Sequence, residues 1–159
     1  MPTLEALDAL FKNGHYGELI QSAAVEGGAS SLEPHKRVIV AHALVLTGAL
    51  GEAASLLTAR DGAIPQKLKA RIEQVLGLCC QARGDVLEAL QHFSSAMRLA
   101  TESRDVERKA WTHLGLFRLQ MHTEPAESIS ATLREVRRSV TAAGDPHVTA
   151  YLHVCVAVL

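Results

Sequence analysis

The chain has 159 residues, of which 48% are apolar and only 4% aromatic, with a formal net charge of -1. That length accommodates one domain with a real core and argues against two globular ones. The near-neutral charge supplies no field for a polyanion, so no direct contact with nucleic acid is expected, and a composition led by Ala and Leu favours closely packed helices over a sheet sandwich.

Taken in order, Leu4, Leu7, Leu10 and Phe11 keep helical spacing, and Asn13-Gly14 stops them with a residue suited to a left-handed cap. A second helix is expected from about Tyr16 to Val25, followed by a polar turn at Gly27-Gly28 and Ser30-Ser31. Pro34 opens the third, because a missing N–H is harmless in a first turn whose donors lack intrahelical acceptors. From Pro34 to Thr47 the residues are almost continuously Val, Ile, Ala and Leu, the pattern of a helix buried on most sides. Gly48 closes it, and its partner is expected from Gly51 to Arg60, before Asp61-Gly62 and Pro65 punctuate the chain.

A third hairpin spans about Gln66 to Ser103. Gly84 closes its first helix, and Asp85 with Glu88 reads as an acidic capping box for the second. A fourth unit begins near Asp105. Its turn position carries His122 instead of Gly, so the inner turn is expected to lengthen around Thr123-Glu124-Pro125 before a long helix from Ala126 to Ala142. Gly144-Asp145-Pro146 then ends one helix and starts a ninth, His147 to Leu159.

Two recurrences run through this order. The turn glycines Gly14, Gly48 and Gly84 are 34 and 36 residues apart, and Ala53 follows Gly48 by five residues as Ala89 follows Gly84. A period of that length belongs to a helix-hairpin solenoid. Gly77 is followed after twelve residues by Ala89, then by Phe93 and Ala96, which sets small side chains where two helices cross closely. Trp111-Thr112-His113-Leu114-Gly115 opens the fourth unit, with Gly115 38 residues after Gly77.

These residues resemble the tetratricopeptide repeat, whose first helix carries Trp-x-x-Leu-Gly and whose second carries Ala, an aromatic and Ala. The match is strongest in the third unit and looser in its neighbours. The resemblance implies an all-α, right-handed superhelix, an α-solenoid of antiparallel helical hairpins with about nine helices. It would form a single domain with repeats at approximately 1–30, 34–62, 66–103 and 105–143 and a partial one at 145–159. In that family the first helix of each hairpin lines a concave groove. Carried over by position, the groove residues are His35, Val38, His42 and Val45, then Arg71, Gln74, Leu78 and Gln81, then Lys109, Thr112, Leu116 and Leu119. Basic groups at one end and apolar ones deeper suit a protein or peptide segment with some acidic character. The family's clamp for a chaperone tail uses Lys and Asn in the groove, whereas here the first unit has Leu4 and Asp8 and the single Asn is Asn13 in a turn. Binding of a chaperone tail is therefore not expected.

No chemistry is expected of the chain, and no cofactor. None of its eight histidines stands four residues from another, so no helical zinc site is written in. Cys79-Cys80 falls mid-helix, where a thiol acts as a small apolar group, and with Cys155 it makes no disulfide framework. Arg134, Arg137 and Arg138, with Glu135 among them, read first as a solvated face and second as a docking patch for an acidic partner. Met1-Pro2-Thr3-Leu4-Glu5 lacks the pattern of a signal peptide and no apolar run approaches the roughly 20 residues of a membrane span, so a cytoplasmic protein is expected.

The ninth helix is apolar to Leu159, whereas a terminal repeat normally has a solvated side. Two explanations follow: a second copy covers this surface, or the sequence continues in a longer array, and the second is preferred. Similar Ala-rich and Leu-rich arrays accompany DNA-binding or ATPase parts of bacterial transcription regulators. The alternative to a peptide-binding scaffold is accordingly a sensory or oligomerisation module of such a protein.

Overall fold

The computed structural model describes residues 2–24, 32–58 and 64–157. Among them are nine helices and no strand, as the hydrophobic periodicity requires: α1 (Leu4–Lys12), α2 (Tyr16–Ala24), α3 (Pro34–Leu46), α4 (Leu50–Thr58), α5 (Gln66–Arg83), α6 (Val86–Glu102), α7 (Val106–Thr123), α8 (Ala126–Ala143) and α9 (Pro146–Ala157). The expected turn over Gly27 to Ser31, the stretch Arg60 to Gly62, and the residues Val25, Val158 and Leu159 lie outside the described residues. The chain divides into two compact units, residues 1–68 and 69–159.

In the first unit α3 packs against α1, α2 and α4, and α1 also packs against α2. Eight consecutive residues of α3, Arg37 to Leu44, are buried, which a helix with neighbours on one side only could not achieve. Phe11 at the end of α1 holds the corner, its ring 5.5 Å from that of Tyr16 on α2 and 4.7 Å from that of His42 on α3. Thr3 caps α1 by accepting a hydrogen bond from the Ala6 amide at 3.1 Å.

Gly14, Gly48 and Gly84 have φ of +77°, +88° and +85°, a left-handed backbone that favours a residue without Cβ. Each turn also makes the same bond. The amides of His15, Ala49 and Asp85 reach back to the carbonyls of Leu10, Leu44 and Cys80 at 2.9, 2.8 and 2.9 Å, so carbonyls left over at three helix ends are satisfied alike. A fourth copy lies between hairpins, where Asp105 N–H meets the Ala100 carbonyl at 2.8 Å and the left-handed residue is Arg104, φ +54°. An arginine there is held against a steric cost of about 1 kcal/mol. Arg104→Gly is therefore expected to stabilise the protein by about 1 kcal/mol and raise Tm by roughly 2–4 °C, measurable by thermal circular dichroism.

The second unit sets α5, α7 and α9 side by side. Gln74 bonds Arg108 between α5 and α7, while the Trp111 and Tyr151 rings, 5.4 Å apart, join α7 to α9. α6 packs on α7 and, through Phe93, on α5; α8 packs on α7 and α9. Phe93 is fully buried. One edge of its ring enters the seam between two glycines: a Cβ on Gly77 would lie 2.8 Å from that edge and one on Gly115 2.6 Å from it. The small residue expected at Gly77 is there because an aromatic ring takes its space, and Gly115 of the next unit does the same service.

The buried positions of α6, Ala89, Phe93, Ala96 and Ala100, recur 40 residues later on α8 as Ile129, Leu133, Val136 and Val140, of which Leu133 is half-buried. Since Gly77 and Gly115 are only 38 apart, two extra residues fall between them. The expected lengthening of the inner turn does not absorb them. α7 runs on to Thr123, and only Glu124 and Pro125 separate it from α8. Pro125 forces Glu124 into an extended backbone, φ −120° and ψ 152°, so a straight joint replaces the left-handed one.

The acidic capping box at α6 is also absent. Asp85 makes no side-chain cap; its carboxylate sits 3.2 Å from Arg83 Nε, and Glu88 accepts from the Cys80 thiol at 3.8 Å. The cap appears one hairpin later, where Asp105 Oδ1 accepts from the Arg108 amide at 2.9 Å. Among the described residues no helix is long and apolar enough to cross a membrane.

Candidate functional site

The inner-helix positions singled out by the repeat divide into packed and accessible sets. Val38, Gln74 and Thr112, which share one position of the repeat, are 2%, 1% and 0% exposed, so that position packs the helices and offers a guest no side chain. His42 is buried against Phe11, and Leu119 is buried in the cluster around Phe93. His35 is exposed beside Glu33, with Nδ1 3.1 Å from its carboxylate, and Val45 is half-buried. In the second unit Arg71, Leu78, Gln81, Lys109 and Leu116 are half-buried and keep part of their surface in solvent.

Beneath these lies a polar bridge that the sequence did not announce. Arg108 Nη1 donates to Gln74 Oε1 at 2.6 Å, and the Thr112 hydroxyl donates to the Arg108 carbonyl at 2.8 Å. Gln74 and Arg108 are 34 residues apart, so the repeat period itself is the signal that could have paired them.

A second feature is a cleft of roughly 480 Å³ between α7 and α8. One wall is His113, Leu116 and Gln120; the other includes Ala131, Thr132, Arg134, Glu135 and Arg138. Spacings of three, four and seven residues place each set on one helix face, a trough about 10 Å long at 1.5 Å per residue. Arg138 Nη1 is 3.2 Å from Glu135, whereas Arg134 has no ion pair among the described residues. His113 Nδ1 is hydrogen-bonded to Ser139 Oγ. Burial, reinforced by Lys109 one turn earlier and opposed by Glu135, holds the imidazole below its ordinary pKa, so it is neutral near pH 7. Gln120 Oε1 is shut off from solvent with no donor among the described residues. Arg134 and Arg138 thus belong to a cleft wall; Arg137 is exposed beside it.

No family model, curated protein or solved structure matches the chain.

The thiols are poor nucleophiles. Burial, with the neighbouring Cys80 adding to it, pushes Cys79 up to about 11, and burial also raises Cys80, which Arg83 opposes from 3.5 Å. At pH 8 only ~0.1% of Cys79 is then thiolate. Alkylation of Cys79 by iodoacetamide in the folded protein is expected to be at least ~100-fold slower than in urea, read by peptide mass mapping. Among the described residues no group of three His, Cys, Asp or Glu side chains is placed to hold a metal ion.

Proposed function

We propose that the chain is a tetratricopeptide-like scaffold that binds a segment of another protein on the faces of its inner helices. The observation that supports this most directly is the Phe93 ring edge between Gly77 and Gly115, because one hairpin is there packed through a side chain shared with the next, the way an extended repeat array is built. Within the first unit α2 likewise touches both α1 and α3, and α1 touches α3. Arrays of this kind leave one helix of each hairpin free to meet a ligand, and here the accessible inner residues mix cations (Arg71, Lys109) with apolar side chains (Leu78, Leu116).

A photo-crosslinking amino acid placed at Gln81, and as a control at the exposed Ser94 of α6, tests the reading in cells. A discrete adduct from Gln81 that Ser94 does not give is the expected result. Adducts from neither position, or equal adducts from both, would refute it. A self-associating regulatory module is the second reading, favoured by Val154, which is 61% exposed on α9. Light scattering separates the two: a dimer that Val154→Lys dissociates would support the second.

A further inference from the structure

The cleft between α7 and α8 carries more than a packing defect. Its α8 wall is exposed at Ala131, Arg134, Glu135 and Arg138, so it is an open trough and not a closed ligand cavity. Its two walls are apolar at Leu116 and Ala131. Its charge is unbalanced: Glu135 is engaged with Arg138, while Arg134 and Lys109, near His113, have no ion pair among the described residues. Its wall also holds Gln120, whose Oε1 is an acceptor with no donor among the described residues. A length of about 10 Å matches three residues of extended chain at roughly 3.3 Å each.

We infer that this cleft binds an acidic, partly apolar peptide segment of a partner protein, with a carboxylate on Arg134, a backbone N–H on Gln120 and an apolar side chain against Leu116. The inference rests on the scaffold reading and shares Leu116 and Lys109 with the inner face, but half of the site comes from α8, the second helix of its hairpin. Arg134 supplies what an acidic residue needs: a planar guanidinium able to take a carboxylate through two hydrogen bonds. The neutral His113 adds no charge of its own, so steering falls to Arg134 and Lys109. A basic segment would meet these two cations with only Glu135, already paired, to receive it.

Fluorescence anisotropy with labelled peptides tests this. The probes are a peptide of Glu-Leu-Gly-Ser repeats and its counterpart with Lys in place of Glu. Saturable binding of the acidic peptide alone is expected, weakened ~10-fold or more by Arg134→Glu and unchanged by Arg137→Glu, which alters the net charge equally outside the cleft. Both arginines are exposed, so the variants keep the fold, which circular dichroism checks. Gln120→Leu is expected to weaken binding by a smaller factor. Equal binding of both peptides, equal loss in the Arg137 and Arg134 variants, or a dimer that Arg134→Glu dissociates without any peptide binding would overturn the inference. A crosslink from Gln81 that persists in Arg134→Glu would show that the inner-face reading stands even if the cleft proposal fails.

Discussion

Gly115→Ala is expected to destabilise the protein by about 1–3 kcal/mol, and Gly77→Leu by about 3 kcal/mol or more, in urea unfolding. On an exposed helix face glycine to alanine would instead gain up to about 1 kcal/mol, so the sign alone is informative. The reason is Phe93. A methyl at Gly115 would sit 2.6 Å from Cε1, and the ring, fully buried, has nowhere to swing without withdrawing its edge from the seam between α5 and α7. Phe93→Ala by itself should cost about 3–5 kcal/mol by leaving a cavity. In that background the added methyl at Gly115 meets empty space and should become neutral or stabilising. A double-mutant cycle between positions 93 and 115 should therefore give a coupling of at least ~1 kcal/mol. Strictly additive effects would mean that the ring and the glycine do not share that space.

The second large effect is expected at Gln74. Gln74→Leu removes the acceptor that Arg108 Nη1 meets at 2.6 Å while Gln74 is 1% and Arg108 8% exposed, and a loss of about 2–3 kcal/mol follows for a buried hydrogen bond to a charged group. Adding Arg108→Met should restore part of the stability, because the buried cation that lost its Gln74 acceptor is then gone too. A urea midpoint unchanged by Gln74→Leu would show that the bridge contributes nothing, and one unchanged between the single and double variants would show that Arg108 does not depend on it.

The helices and the turns were legible because they depend on local rules. A glycine that must adopt positive φ cannot be hidden, and Gly14, Gly48 and Gly84 mark three hairpins at nearly one period. The buried residues of α3 announce themselves as a nearly continuous apolar run, interrupted only by His42 after Arg37. Arg104 was not legible, since its left-handed backbone belongs to the turn closed by the Asp105 amide on the Ala100 carbonyl and runs against its own preference. The capping box failed for a related reason: Asp85 and Glu88 have the right spacing, but Arg83 and Cys80 stand close enough to draw their carboxylates away. The exposure of the inner-helix positions was not legible, because the repeat pattern does not say whether Gln74 or Gln81 faces a neighbouring helix. Half of the cleft was in view as the Arg134 to Arg138 run, and only the pairing of α7 with α8 adds Gln120 and Leu116 to it.

The ring of Phe93 also bears on how the molecule can be taken apart. A fragment ending at Ser103 would keep Gly77 but lose Gly115, leaving one flank of a large aromatic wet; a fragment starting at Asp105 would present a notch with nothing to fill it. The boundary that looks natural on paper, between the third and fourth hairpins, is thus a poor place for a proteolytic nick, a circular permutation or a graft. Neighbouring modules in the second unit should melt together, not one after the other.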